Sequence, residues 1–500
     1  MGKRTQKNQK TAQRNRPVER TDNQTACQNK AGRKQESRAP EPVSSDLIKI
    51  TLDHHFPDFN EWLNKLPDPR LPERIVYSRE HLFYLGLSMF MFHYGSRNQL
   101  ESERRTIEFY HNLLELSGTC EEQTATAEAM SYFMETMNPT TGMELIPGEM
   151  VRRLIRSRVL DKYRNSHGEF MIAIDGVHLF TRKGERPNSV HKTLNGEKHS
   201  YYYTEEAKLV TSDGMGFSIA TEFIETEEKY SKQDCEVNAF YRIAEILKKR
   251  FPQMRICILL DSLYSNQHVL KICEANNWGY FIMLKDGVIP SVYNAVMKQI
   301  QTHPEQSLDH SREPGVYQHI SWALNIKYEG NHFHVLICEE TTVTKDGIEK
   351  KKYVWLTDAR PDKNNAVQLV KEARLRWVEE EMFNIQKNGG YELEHSYGTV
   401  GFAMKNYYYL MQIAHLLHQL MVRSDLFPKL QKKFILRKFR SLPEQIKIFL
   451  AAMKDTTLKH FRTIKNFVKR LGESFRNQYF SEFATNPEVL GKIQIRFNSS

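Results

Sequence analysis

The segments FMIAID (residues 170–175) and RICILLD (residues 255–261) are short apolar runs that each end in an aspartate. Runs of this length and composition are typical of buried β-strands. Asp175 and Asp261 therefore stand at the carboxyl ends of two predicted central strands, where side chains reach the crevice outside a parallel sheet. The alternative for either residue alone is that it begins a turn, since Asp175-Gly176 is an ordinary turn dipeptide.

The elements around these two runs follow a specific order. YYYTEEAKLV and GFSIATEF predict two further strands, and a helix is predicted through Lys249. After the second aspartate come a predicted helix over residues 266–276 and the strand YFIMLK, which ends at Lys285. The unit is three strands, a helix, a strand, a helix and a strand, which indicates an α/β domain.

The next part of the chain predicts a β-rich insertion at about residues 286–358. Its strands are separated by Gly-containing turns and comprise QHISWALNIKY, HFHVLICEETTV and KKYVWLTD. A helix follows from about residue 364 to residue 387 and ends before Gly389-Gly390.

One face of this helix carries charged residues at helical spacing. Arg376, Glu380, Phe383 and Lys387 fall within about 60° of one another at roughly 100° per residue, whereas Glu379 points elsewhere. The alternative is a solvated helix with salt bridges between residues four apart, which is the usual meaning of such charge runs.

Three carboxylates on different elements suit phosphodiester cleavage by two metal ions. The ions of such a site lie roughly 3.5–4 Å apart and each contacts the scissile phosphate, so their ligands must converge from separate elements. Asp175, Asp261 and Glu380 are 86 and 119 residues apart in sequence, and carboxylate oxygens are the ligands that magnesium requires.

The stretch RWVEEEMFNIQK (residues 376–387) resembles the Y-x2-R-x3-E-x6-K signature of IS4-like bacterial insertion-sequence transposases. Its Arg, Glu and Lys match in spacing, while the tyrosine of the signature falls at Ala373. The resemblance extends over the order of elements from roughly Glu169 to His418, including DG after the first strand and LLDSLYSN after the fourth.

This resemblance implies a DDE transposase that catalyses cut-and-paste DNA transposition. Asp175, Asp261 and Glu380 would be the catalytic residues and the ligands of two Mg²⁺ (or Mn²⁺) ions, and Arg376 and Lys387 would contact the DNA backbone near the scissile phosphate. The implied partners are double-stranded DNA, as terminal inverted repeats and target, and a second copy of the chain in a homodimer on paired ends. Two other functions stay open, namely an RNase H-like nuclease without strand transfer and a catalytically decayed DNA-binding copy.

Two more residues are assigned to DNA binding. Lys285 stands at the end of a predicted strand. Trp322 lies in the insertion, where transposases of this kind often use an aromatic residue to stack on an unpaired base. Packing in the core is the alternative for Trp322.

The charge of the chain is basic at both ends and acidic in the middle. Residues 1–45 hold eleven Lys or Arg and four acidic residues, and residues 423–500 hold seventeen and six, so the ends carry +7 and +11 and the middle −8 of the net +10. Basic ends suit DNA, because phosphate neutralisation supplies most non-specific nucleic-acid affinity. The alternative explanation of the charge is solubility.

Four regions are therefore predicted: a disordered basic arm (residues 1–45), a helical N-terminal domain to which we assign DNA binding (46–165), an RNase H-like DDE catalytic domain with the β insertion (166–422) and a basic helical C-terminal region (423–500). The most apolar run, residues 81–94, is too short to span a bilayer. The expected location is the cytoplasm, at the nucleoid when the protein is bound to DNA.

Overall fold

The computed structural model describes residues 44–225, 234–285, 287–344 and 347–423. The predicted basic arm lies outside the described residues except for its last two positions, and the predicted C-terminal region lies outside them except for Arg423. The assignments of both ends stay predictions.

The described residues that precede the sheet form helices and no strand. The α-helices are α1 (Ser44–His55), α2 (Phe59–Asn64), α3 (Arg79–Met91), α4 (Arg97–Glu103), α5 (Ile107–Ser117), α6 (Ala127–Thr136) and α7 (Leu145–Arg156). Ser78, Ser96, Thr106 and Thr126 each precede a helix and accept a hydrogen bond from the amide three residues further on, which satisfies one free donor of the first turn. None of the helices in the described part of the chain has the length and apolar content needed to cross a membrane.

The chain divides into two compact units. Among the described residues, the first unit comprises 44–142 and 397–410, and the second comprises 143–396 and 411–423. The helix α7 therefore belongs to the unit that contains the sheet, although the sequence analysis assigns residues up to 165 to the N-terminal domain.

The second unit contains a mixed sheet of ten strands with flanking helices. The strands are β1 (Phe170–Lys183), β2 (Val190–Leu194), β3 (Glu197–Val210), β4 (Gly216–Ile224), β5 (Ile256–Leu260), β6 (Gly279–Met283), β7 (Ser307–Glu313), β8 (Val316–Tyr328), β9 (Asn331–Thr344) and β10 (Gly347–Thr357). Their order is β2-β3-β1-β5-β6-β10-β9-β8-β7, with β4 beside β3. Among the strands that the structure describes, only β1, β5 and β6 are parallel neighbours. The α/β class is as predicted.

The helices that follow the first strands are α8 (Glu236–Arg250), α9 (Gln267–Asn276), α10 (Pro290–Thr302), α11 (Ala366–Ala373), α12 (Arg376–Asn388) and α13 (Ala403–Arg423). The single helix predicted from about residue 364 to 387 is two helices, α11 and α12. Between them the amides of Leu375 and Trp377 bond to carbonyls three residues back, at Glu372 and Arg374. This tighter turn interrupts the α-helix and begins a new one at Arg376.

The first strand is longer than the sequence predicts. β1 continues to Lys183 because it pairs with β3 beyond Asp175. Its parallel pairing with β5 ends earlier, at Ala173 opposite Leu259. Asp175 therefore lies where β1 leaves β5 and not at the end of the strand, and the turn alternative for Asp175-Gly176 is wrong.

The insertion extends the same sheet, because β10 pairs antiparallel with β6. It also contains the helix α10 and the strand β7, which the sequence analysis missed. Only Val292 and Val296 of α10 are buried. Two β-branched residues are a weak helical signal, which explains why this segment is not recognised.

Candidate active site

Asp175 is a largely buried carboxylate in β1. Its Oδ1 accepts a hydrogen bond of 2.9 Å from the amide of Gly176, and its side chain is 25% exposed. Burial raises the pKa of Asp175 to about 6, opposed by the charge of Arg376 and reinforced by the negative charges of Asp261 and Glu380. Asp175 therefore lies within electrostatic range of both other predicted carboxylates.

Asp261 follows β5 directly and is partly buried. Its Oδ1 accepts a 2.7 Å hydrogen bond from the amide of Leu263 at the start of a single 3-10 turn. The parallel pairing of β1 with β5 brings this residue near Asp175, and its charge adds to burial in raising the pKa of Glu205 and Glu236.

Glu380 lies on α12, which packs against β1 and β3. Arg376, one turn earlier, donates to Asp175 Oδ2 over 3.3 Å and also to Glu380 Oε1. The guanidinium therefore bridges a strand carboxylate and a helix carboxylate. Asp175 and Glu380 thus share the guanidinium of Arg376, and the charge of Asp261 acts on Asp175, while the assembly of the three carboxylates into one catalytic site stays a prediction.

The environment of Arg376 differs from the sequence expectation. The alternative of a solvated helix requires an exposed arginine, but the side chain of Arg376 is only 8% exposed, whereas that of Glu380 is 48% exposed. The difference arises because α12 turns the arginine toward β1, where its two carboxylate partners offset part of the cost of burial.

The other predicted DNA contacts have different environments. Lys387 is one third exposed and its Nζ lies 3.0 Å from Glu394 Oε1. Lys285 is exposed, two residues after the end of β6. Their contacts with DNA stay predictions. Trp322 is 3% exposed and belongs to a core cluster that includes Trp355, so its assignment to base stacking is wrong and the alternative, core packing, is correct.

A buried charged layer lies on the α12 side of β3, beside the predicted carboxylates. Lys208, opposite Ala173 on β1, places its Nζ 3.6 Å from Glu379 Oε1 and 3.6 Å from the ring centroid of Phe383. Both partners of the pair are fully buried. Burial lowers the pKa of Lys208 and raises the pKa of Glu379 well above its usual range. This pair joins α12 to β3 directly beside Glu380.

Two further carboxylates border the site from β3 and α8. Glu205 is fully buried opposite Gly176. Its Oε1 accepts a hydrogen bond from the hydroxyl of Tyr264, and its Oε2 has no hydrogen-bond partner among the described residues. Glu236 lies so close to Gly176 that an added Cβ would be 2.5 Å from its Oε1. Burial raises the pKa of both Glu205 and Glu236.

The sequence analysis missed these neighbouring charged residues. The available signal was the segment TEEAKLV, because charged side chains at successive positions of a central strand must include some on each face of the sheet. A glycine directly after Asp175 was the second signal, since it permits another chain to approach closely.

The donor set fits magnesium in its chemistry but not in its present arrangement. Asp175, Asp261 and Glu380 offer only carboxylate oxygens, which are the ligands that magnesium prefers. Within the described part of the chain, however, no group of three or more His, Cys, Asp or Glu side chains is positioned to hold a metal ion. The guanidinium of Arg376 lies between Asp175 and Glu380. These two carboxylates must therefore lose their contacts with Arg376 before they can bind a metal ion.

Comparisons with known proteins leave the family open. No family model and no curated protein matches the chain. Among solved structures, the cryo-EM structure of a piggyBac transposase synaptic complex with hairpin DNA is similar over 85% of each chain, with 10% sequence identity and a TM-score of 0.36. A likeness of this size does not establish a shared fold, and the resemblance to IS4-like transposases rests on the motif and the element order alone.

Proposed function

We propose that this chain is a DDE transposase with an RNase H-like core, in which Asp175, Asp261 and Glu380 bind two divalent cations. The observation that carries the proposal is that Arg376 bridges Asp175 of β1 to Glu380 of α12 and that the charge of Asp261, at the end of β5, also acts on Asp175, despite separations of 86 and 119 residues. A carboxylate whose pKa is raised by burial and by two nearby negative charges is a candidate functional group.

The arrangement of the strands supports the proposed core. β4, β3 and β1 are antiparallel neighbours, and β5 and β6 continue the sheet parallel to β1. The helices α8 and α9 lie in the intervals before β5 and β6. This is the order of elements on which the resemblance to IS4-like transposases rests, and the insertion of β7 to β10 precedes the helix of Glu380.

The chain would prepare the site for phosphoryl transfer by concentrating negative charge. Bound cations would supply Lewis-acid contacts to the phosphate and an activated water or 3′-hydroxyl. Burial and, to a smaller extent, the charges of Asp261 and Glu380 raise the pKa of Asp175, and a bound cation would relieve the repulsion between the carboxylates. Arg376 would then release its carboxylates and donate to a phosphate oxygen, for which a guanidinium is well suited.

A non-catalytic DNA-binding protein is the second candidate, and the buried bridge of Arg376 favours it. A cation already paired with Asp175 and Glu380 is what a purely structural network would contain. A nuclease without strand transfer would share the same carboxylates. Cleavage, joining and binding therefore have to be measured separately.

The experiment uses the full chain and a DNA fragment that spans its coding sequence and the flanking genomic DNA, with a target plasmid and Mg²⁺. We expect double-strand cuts at both ends of the element, joining to the target, and a complex that contains two copies of the chain. Glu380→Gln should abolish cutting and joining while DNA binding persists, because affinity comes mainly from Lys and Arg. The matched control is Glu381→Gln, an exposed neighbour on the same helix. Cutting without joining, or binding without cutting by the unmodified protein, would contradict the proposal.

A further inference from the structure

Glu340 is a buried carboxylate in the insertion strand β9. Its side chain is 6% exposed. Three side-chain donors converge on its Oε2, namely the guanidinium of Arg374 over 2.7 Å, the amide of Gln318 over 2.7 Å and the guanidinium of Arg312 over 3.4 Å. A buried charge is costly unless it is paired and hydrogen-bonded, so this set of contacts holds Arg374 against β9.

Glu340 lies on the same face of the sheet as Asp175. Side chains two residues apart in a strand share a face, so Ala173 in β1 has the face of Asp175, and Cys338 in β9 has the face of Glu340. Ala173 and Cys338 belong to one core cluster, which also includes residues of α11. Two consecutive helices cover this face, since α11 packs on β9 and α12 packs on β1.

Arg374 lies in the turn between these two helices. Its amide donates to the carbonyl of Val370 in α11, and its carbonyl accepts from the amide of Trp377 in α12. The ion pair of Arg374 with Glu340 therefore ties β9 to the point at which α12 begins. Because α12 starts two residues later, at Arg376, the direction of this turn decides where the side chain of Arg376 points.

The indole ring of Trp377 connects this turn to the proposed site. The Cζ atoms of Arg374 and Arg376 each lie 5.5 Å from the centroid of the ring. The ring of Tyr353 in β10 lies 5.2 Å from it in an edge-on arrangement. Arg376 in turn donates to Asp175. A shift of Arg374 would therefore move the ring that the guanidinium of Arg376 contacts.

We propose that Glu340 is a positioning residue for Arg376. By holding Arg374 it sets the direction of the first turn of α12 and keeps the guanidinium of Arg376 at the carboxylates of Asp175 and Glu380. The insertion thus contributes to the site through β9, without itself contacting the reacting groups. The use of this orientation in DNA cleavage rests on the proposed function, whereas the orientation itself does not.

The first experiment measures how fast phenylglyoxal, a reagent that modifies guanidinium groups, reacts with Arg376 in the full chain, with peptide mass spectrometry as the readout. In Glu340→Gln we expect Arg376 to react at least about fivefold faster than in the unmodified protein, because the released turn opens more often. The matched control is Glu339→Gln. It removes the same charge from an exposed neighbour that pairs with Lys352, and it should leave the rate unchanged.

Arg250 separates a local change from general unfolding. Its side chain is 9% exposed and pairs with Glu144, so its rate should be the same in all variants. Glu340→Asp retains the charge and should retain most of the protection of Arg376. Arg374→Gln breaks the same ion pair from its more exposed partner and should also expose Arg376, which keeps the test decisive if Glu340→Gln does not fold. An unchanged rate at Arg376, or an equal increase at Arg250, would overturn the positioning role.

The second experiment measures cleavage and depends on the proposed function. Glu340→Gln should slow the cutting of saturating DNA about tenfold, because a small misplacement of a positioning group is costly, while the affinity for DNA stays unchanged. Cutting at the unmodified rate would overturn a role of Glu340 in the reaction. If the unmodified protein binds DNA without cutting it, the proposed function fails, whereas the protection of Arg376 by Glu340 is decided by the first experiment alone.

Discussion

Two adjacent glutamates of α12 occupy opposite environments. Glu379 is fully buried beside Lys208, whereas Glu380 is half exposed and bonded to Arg376. Successive helical residues differ by about 100° in direction, so one helix can present an anchoring carboxylate to β3 and, on its exposed side, the carboxylate that we propose as a metal ligand. If this division of roles holds, a mutation of Glu379 lowers the stability of the fold, whereas a mutation of Glu380 affects the proposed chemistry.

The largest effect is expected from Glu379→Gln. This change removes one of the two buried carboxylates, Glu206 and Glu379, whose charges stabilise the ammonium of Lys208, and breaking a buried ion pair from one side costs about 3–5 kcal/mol in the free energy of unfolding. Denaturant titration would measure it. The double change Lys208→Met with Glu379→Leu removes both charges of this pair and should recover part of the loss, because Glu206 then stays buried without the ammonium. If Glu379→Gln is as stable as Glu381→Gln, the buried pair does not anchor α12.

The next effect concerns the pH dependence of stability in buffer without divalent metal. Burial raises the pKa of Asp175 from 3.8 to about 6 in the folded protein, so its contribution to stability is complete below pH 3.8 and is lost as the pH rises through about 6. Between pH 4 and 7 this loss amounts to about 2–3 kcal/mol. Asp175→Asn should reduce the change in the free energy of unfolding between pH 4 and 7 by that amount. Parallel curves for both proteins would show that Asp175 is not the group responsible.

A smaller effect is expected for Arg376→Met, which removes hydrogen bonds to two carboxylates. Such bonds contribute about 1.5–3 kcal/mol, so at pH 8 the free energy of unfolding should fall by that amount. At pH 5 the loss should be smaller, because protonated Asp175 no longer needs the cation. Arg376→Lys should restore part of the stability. An unchanged melting temperature at both pH values would indicate that Arg376 forms only a weak salt bridge, as in the alternative of a solvated helix.

The smallest effect on stability is expected for Lys387→Ala. Its ion pair with Glu394 is partly exposed, and such pairs contribute about 0–1 kcal/mol. Cleavage of bound DNA at saturating concentration should nevertheless slow, because Lys387 is proposed to position the phosphate. Glu394→Gln breaks the same pair and serves as the control. Equal cleavage rates for both variants and the unmodified protein would assign Lys387 to the salt bridge alone.

Part of this fold and site could be predicted from the sequence. The apolar runs that end in Asp175 and Asp261 predict buried strands, because a parallel strand covered on both faces has few polar residues. The spacing of Arg376 and Glu380 follows from helical geometry alone. These features depend on local patterns, so a single sequence reveals them.

The remaining features depend on contacts between distant segments. Lys208 and Glu379 look like surface charges in sequence, and only the packing of α12 on β3 buries them together. The continuation of β1 past Asp175 requires β3 as a partner, and the burial of Trp322 requires the insertion to join the main sheet. Sequence periodicity contains no information about such pairings.

The most direct test of the central claim is Mn²⁺ binding to the full chain, measured by electron paramagnetic resonance and calorimetry without DNA. We predict saturable binding that weakens at least tenfold in Asp175→Asn, Asp261→Asn and Glu380→Gln, and that is unchanged in Glu381→Gln, because a carboxylate ligand removed from a shared site affects every ion bound there. Binding that is absent from the unmodified protein, or that is equal in all of these variants, would contradict a metal site formed by the three carboxylates.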